Sequence, residues 1–146
     1  MPNCIVRYLK QSDLHTTYLI RAPIEVQLQE LCTLDDGYTY VSVPAGTDLS
    51  DQLPQVTVEP VTLTPELREK VKAASPQCEL IARLMQDRIR AFYSVEDEAY
   101  FARIGVGVAL GAYAFEPGEQ DALLSFGAHV ESVRQWGREQ RAKLGV

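Results

Sequence analysis

Residues 44 to 60 separate two parts of the sequence that follow different hydrophobic periods. This stretch reads PAGTDLSDQLPQVTVEP, and its richness in Pro, Asp, Ser and Gly is typical of a linker or an extended arm. Before it, apolar residues alternate as in strands, and after it they recur every three or four positions as in helices. We therefore predict a boundary near residue 55, between an N-terminal β-rich domain at 1–55 and a C-terminal helical domain at 56–146.

Two runs near the N-terminus have the composition of strands. CIVRYLK at 4–10 and TTYLIRA at 16–22 are rich in β-branched and aromatic residues. The polar connection QSDLH at 11–15 has the length of a hairpin loop. We predict that the two runs pair as antiparallel strands.

Three further segments decide how large this sheet is. In LDDGYTYVSVP at 34–44, the dipeptide Asp36-Gly37 predicts a turn and the alternation after it predicts a strand. IEVQLQELC at 24–32 fits either a short helix or a strand. QVTVEPVTL at 55–63 could add an edge strand, because its proline excludes a central position.

Helix-start signals punctuate the second part of the chain. Thr64 precedes a proline, Ser75 precedes another, and Ser94 precedes three consecutive acidic residues. A last helix is predicted after the breaker at Gly118, with Gly145 as its C-terminal cap. The predicted fold class is α+β, with a small N-terminal antiparallel β-sheet joined by the Pro-rich linker to a helical hairpin or bundle.

The glycine-rich stretch RIGVGVALGAY at 103–113 has the spacing G-x-G-x-x-x-G. A dinucleotide-binding turn requires G-x-G-x-x-G between a strand and a helix, and here the preceding residues carry helix-start signals. We interpret the stretch as a contact surface, either a packed helix or a glycine-broken hairpin. In both cases Gly107 and Gly111 would permit close backbone approach.

The last predicted helix carries a long apolar stripe. Such a stripe requires another helix, either from the same chain or from a second copy. Trp136, the only tryptophan, lies beside it and either covers the core or anchors an interface. We predict an interface formed by Gly107, Gly111, Leu123, Phe126, Val130, Val133 and Trp136.

Composition excludes several classes of partner. A net charge of -6 argues against a surface built for nucleic-acid phosphates. The three cysteines form no C-x-x-C pair, so we expect free, buried thiols in a reducing compartment. No run has the apolar length of a signal peptide core or a membrane helix, so we expect no membrane partner and synthesis in a cytoplasm.

The residues that commonly carry chemistry do not form a recognisable motif. His15 and His129 are the only histidines, and neither has the spacing of a metal-binding helix. The acidic run Glu96, Asp97 and Glu98 is interpreted as a helix N-terminus, because adjacent helical side chains diverge by about 100°. We therefore predict no catalytic residue, no metal site and no cofactor.

Four segments of the chain resemble segments of small proteins that are encoded in tailed bacteriophages and prophages, near tail or structural genes. They are YVSVPAG at 40–46, VTLTPELREKVKAASP at 61–76, IRAFYSVEDE at 89–98 and VESVRQWGREQRAKLGV at 130–146. The resemblance implies a structural or tail-module protein, and it carries over no catalytic residue. The glycine-rich stretch departs from the pattern of these proteins.

Three functions then compete. The first is a non-enzymatic virion structural protein, such as a tail, collar, fibre-associated or decoration component, which self-associates and contacts other phage structural proteins. The second is a tail or tail-fibre assembly chaperone absent from the mature particle. The third is a small enzyme or nucleotide binder. We favour the first, because function must be argued from a site and no chemical site is apparent.

Overall fold

The computed structural model describes residues 2–11 and 13–146, and its helices and strands confirm the predicted α+β class. Ser12, in the predicted hairpin connection, lies outside the described residues. The strands are β1 (Cys4–Leu9), β2 (Gln29–Thr33), β3 (Tyr38–Val43) and β4 (Glu59–Val61). The helices are α1 (Pro65–Ala74), α2 (Pro76–Arg90), α3 (Val95–Ala109) and α4 (Glu119–Leu144).

The chain forms two compact units. The sheet unit comprises Met1–Ile81 together with Glu139–Val146, and the helical unit comprises Ala82–Arg138. Strand β4 follows residue 55 and yet pairs with β1, so residues on both sides of the predicted boundary contribute to one sheet. The predicted division into domains at 1–55 and 56–146 stays a prediction.

The four strands form one antiparallel sheet in the order β2-β3-β1-β4. Strand β1 is central, and its pairing with β3 runs from Cys4 opposite Val43 to Leu9 opposite Tyr38. Strand β4 lies at an edge, where the missing N–H of Pro60 is tolerated. One buried hydrophobic cluster on this sheet contains Val6, Tyr8, Val41, Val43 and Val56.

The predicted strand at 16–22 is wrong. These residues form only an isolated bridge between Gln11 and Thr17, with the Tyr18 N–H donating to the Lys10 carbonyl at 2.7 Å. At Arg21, the side chain of Gln52 makes the backbone hydrogen bonds that a neighbouring strand would otherwise make. Its Oε1 accepts from the Arg21 N–H and its Nε2 donates to the Arg21 carbonyl, each at 2.8 Å.

The segment at 24–32 resolves into a turn followed by a strand, so the helical alternative is wrong. The Val26 N–H donates to the Pro23 carbonyl at 2.9 Å, and Ile24 is fully exposed. Strand β2 begins only at Gln29, and Leu31 and Cys32 are its buried residues. An exposed Ile24 removes the apolar face that a helix there would need.

The helix caps predicted from sequence are confirmed. Thr64 accepts from the Leu67 N–H, with Pro65 in the first turn of α1. Ser75 is buried, and its hydroxyl accepts from the Cys78 N–H in the first turn of α2. These caps depend on residues within three positions of each other, so they were readable without knowledge of the tertiary structure.

The end of α4 is part of the sheet unit. The Gly145 N–H donates to the Ala142 carbonyl and the Val146 N–H to the Arg141 carbonyl, which is the hydrogen-bond pattern of a Schellman motif. The buried hydroxyl of Ser42 in β3 donates to the Leu144 carbonyl at 2.7 Å. Gly145 has a φ of 86°, and a Cβ there would lie 2.7 Å from the Asn3 carbonyl oxygen.

Replacing Gly145 by alanine is expected to destabilise the sheet unit more than replacing Gly46 by alanine. Both glycines have φ above 80°, so each replacement costs about 1–2 kcal/mol in backbone conformation. Only Gly145 has a neighbouring atom in the path of the new Cβ, since nothing lies within 4 Å of that position at Gly46. Urea unfolding of the two variants measures the difference, and equal losses of unfolding free energy would contradict the close approach.

Candidate interaction surface

Three aromatic rings lie at the centre of the helical unit. Phe101 of α3 stacks on Phe126 of α4 with ring centroids 4.9 Å apart. Tyr93 meets both rings edge-on, at centroid distances of 6.0 Å and 5.0 Å. Stacked and edge-on pairs contribute about 0.5–1.5 kcal/mol each beyond the area they bury. This cluster determines which side of α3 faces α4.

The structure places the predicted α4 interface residues on the inner side of that helix. Phe126 belongs to the aromatic cluster, and Leu123 lies beside Gly105 of α3. Val133 is only 4% exposed, and Val130 is half-buried. The ring of Trp136 lies under the guanidinium of Arg88 in α2, 3.9 Å from its carbon. All of these contacts lie within one chain, and a role between chains stays a prediction.

The glycine-rich stretch is the C-terminal part of α3 and its cap, so the hairpin alternative is wrong. The Ala112 N–H donates to the Gly107 carbonyl at 2.8 Å, and the Gly111 N–H to the Val108 carbonyl at 3.0 Å. These bonds form a Schellman motif, and Gly111 has the positive φ of 72° that the motif requires. A Cβ at Gly107 would lie 2.8 Å from the Cβ of Tyr113. The predicted close approach therefore exists at Gly107, where it is to a residue of the same chain, but not at Gly111, where nothing lies within 4 Å of an added Cβ.

The side of α3 opposite the buried Phe101 and Ile104 is apolar and exposed. Val95 and Val106 keep 59% and 58% of their surface in solvent, and the alanines between and beyond them are exposed. We call this row the α3 stripe. It consists of Val95, Ala99, Ala102, Val106 and Ala109.

Two opposite charges lie along one edge of the α3 stripe. Glu96 follows Val95 and Arg103 follows Ala102, so both occupy the same side of the row. Neither side chain makes a hydrogen bond or an ion pair with any residue that the structure describes. Both charges are therefore available to a partner that covers the stripe.

The other acidic residues at the start of α3 already have partners, and Asp97 caps the helix as the sequence predicts. Ser94 and Asp97 form a capping box, in which the Ser94 hydroxyl accepts from the Asp97 N–H and the Asp97 carboxylate accepts from the Ser94 N–H. Glu98 pairs with Arg90 at 2.6 Å. The two pairs leave Glu96 as the acidic residue of this run without a described partner.

A buried carboxylate connects the start of α4 with α3. Glu119 is 9% exposed and accepts from the hydroxyl of Tyr100, from the hydroxyl of Tyr113 at 2.6 Å and from the Glu116 N–H at 2.7 Å. Hydrogen bonds from these three donors, Tyr100 foremost, lower the pKa of Glu119. The bond to Glu119 raises the pKa of Tyr113 to about 12. The sequence analysis did not identify this cluster, because Tyr100 lies in α3, Tyr113 in the connection after it and Glu119 at the start of α4, so no local pattern relates them.

His129 and the two buried cysteines have structural surroundings, whereas Cys4 is exposed and the expectation of burial is wrong for it. The Nε2–H of His129 donates to the Arg88 carbonyl at 3.1 Å, and its ring meets Phe92 edge-on. Burial raises the pKa of the Cys32 thiol to about 11, with a smaller contribution from Cys78. A raised pKa keeps the thiol protonated and unreactive at neutral pH. Among the described residues, no three His, Cys, Asp or Glu side chains are grouped so as to hold a metal ion.

A groove of about 460 Å³ lies between α1 and the turn that joins β2 to β3. Its charged lining consists of Asp35, Asp36 and Lys70. Asp36 serves the turn, since it accepts from the Tyr38 N–H and from the hydroxyl of Tyr40, each at 2.9 Å. The groove therefore follows from the way the turn is built, and the α3 stripe is the better candidate for a functional surface.

Comparison of the chain with protein-family models, with curated proteins and with solved structures found no significant match. Within residues 2–11 and 13–146, no helix combines the length and the apolar character needed to cross a membrane.

Alanine at Gly105 and at Gly107 is expected to have opposite effects on the helical unit. A Cβ at Gly105 meets Leu123 at 3.6 Å, an ordinary contact, so Gly105→Ala should stabilise by about 0.5–1 kcal/mol through helix propensity. Gly107→Ala should destabilise, because Tyr113 blocks the new methyl group. Thermal unfolding of the two variants checks this, and stabilisation by both would show that α3 does not end as described.

The stability that Glu119 contributes is expected to depend on acid pH. Its pKa is lower in the folded state than in the unfolded state, so the contribution is complete above the unfolded value near 4.5 and is lost as pH falls through the folded value. The advantage of the native chain over Glu119→Gln should therefore shrink in that range. Asp121→Asn in the same helix turn is the matched control, and a pH-independent difference for Glu119→Gln would refute the cluster.

Proposed function

We propose that the protein is a non-enzymatic structural component of a bacteriophage virion that acts through protein–protein contacts. The observation that carries this proposal is the α3 stripe, a row of exposed apolar side chains on a regular helix. Contiguous apolar surface on a folded protein is typical of interaction sites, because it gains free energy when a partner covers it. Leu110, at the end of the same helix, is 78% exposed and extends the apolar surface.

The resemblance of four segments to phage structural and tail-module proteins supports a virion as the place of these contacts. We propose that the protein is made in the host cytoplasm and is incorporated as a homo-oligomer beside other phage structural proteins. The substructure would be the tail, the collar, a fibre-associated part or a decoration. The net charge of -6 supports protein partners over nucleic acid.

Quantitative mass spectrometry of purified phage particles and of the lysate that produced them tests the proposed function. We expect peptides of this chain at a fixed molar ratio to the major capsid protein, because a structural component occupies symmetry-defined positions. An abundant host cytoplasmic protein serves as the control for carry-over, and its ratio should fall with each purification step.

Absence from particles would contradict the virion assignment. If the chain were abundant in the lysate but absent from particles, the assembly-chaperone alternative would replace it. The next measurement would then be isolation of the protein that the chain releases.

A further inference from the structure

We propose that the α3 stripe binds the same stripe of a second copy of this chain, with the two α3 helices antiparallel about a two-fold axis. The inference rests on the proposed function, in that it names the partner of the surface that carries that function. It also moves the self-association from the predicted set, which combined α4 residues with Gly107 and Gly111, to the exposed side of α3.

The spacing of the α3 stripe is that of a helix–helix seam. Its positions 95, 99, 102, 106 and 109 advance by four and three residues in turn, an average of 3.5. This period keeps a row of side chains facing a partner helix along its whole length. The inner face of the same helix, with Phe101 and Ile104 buried, is already covered within the chain.

An antiparallel arrangement makes the stripe complementary to itself. When Ala99 faces the partner's Ala102, Val95 faces the partner's Val106. The two-fold axis then creates each of these two residue pairs a second time. Small residues then meet at the centre, where they permit a close approach of the backbones, and larger residues meet at both ends. A two-fold interface requires this reciprocity, since each residue must accept the same surface that it presents.

The charges along the stripe favour the same arrangement. In the antiparallel pair, Glu96 of one chain lies beside Arg103 of the other, and the axis creates this contact twice. In a parallel pair, Arg103 would instead approach the partner's Glu98, which Arg90 of its own chain already holds at 2.6 Å. Glu96 would then face no basic residue on the partner's α3. Complementary charges beside an apolar seam select the partner and its direction.

Sedimentation equilibrium of the full chain tests the proposal. We expect the native chain to form a dimer, and Ala102→Glu to be monomeric at the same concentration, because two carboxylates would be buried at the centre of the seam. Ala128→Glu places the same side chain on an exposed position of α4 and should leave the dimer intact. Circular dichroism checks that each variant keeps its helices. A monomeric native chain, or a dimer that survives Ala102→Glu, would overturn the proposal.

Charge reversal tests the direction of the helices. Glu96→Arg and Arg103→Glu should each weaken the dimer about tenfold, because every dimer loses two ion pairs and gains two repulsions. The variant that combines Glu96→Arg with Arg103→Glu should restore native affinity if the helices are antiparallel. In a parallel dimer the carboxylate introduced by Arg103→Glu would meet the partner's Glu98, so failure of the double variant to restore binding would contradict the arrangement.

These outcomes are separate from those of the proposed function. A chain that is monomeric in solution but present at fixed copy number in particles would overturn the α3 pairing and leave the virion assignment standing. A dimer that responds to the variants as expected but is absent from particles would overturn the virion assignment and leave the α3 pairing standing.

Discussion

The stack of Phe101 on Phe126 determines the orientation of α3, and the main functional inference depends on that orientation. With Phe101 turned inward, Val95 and Val106 on the opposite side face solvent. The Schellman motif at Gly111 ends the helix after Ala109, so the exposed row also ends there, and four of its five positions pair in the proposed seam. A helix of this composition has apolar residues on two sides, and a single chain covers only one of them.

Local features of the sequence were predictable because their physics is local. The caps at Thr64 and Ser94 and the turn at Gly37 involve residues within a few positions of each other, and the structure contains all three. The strand at 16–22 was not predictable in the same way. Its composition suits a strand, but the hydrogen-bonding groups of Arg21 are taken by Gln52, which is distant in sequence.

The candidate surface could be predicted only in part. The apolar period of α4 is clear, but a period does not say whether the matching surface belongs to the same chain, and Phe126 meets Phe101 within the helical unit. In α3 the opposite difficulty arises. Apolar residues lie on two faces of α3, so the sequence does not show which face is buried. The exposed row with Val95 and Val106 can be identified only because the structure shows Phe101 on the buried face.

The burial of Leu144 and Val146 in the sheet unit has a consequence for how the chain folds during synthesis. Residues 82–138 form a compact unit that interrupts the sheet unit in the sequence. The ribosome therefore completes the helical insert before it delivers the segment that Ser42 and Asn3 contact. We expect the region around Ser42 and Asn3 to stay uncovered while the insert folds, and to be covered only when residues 139–146 emerge.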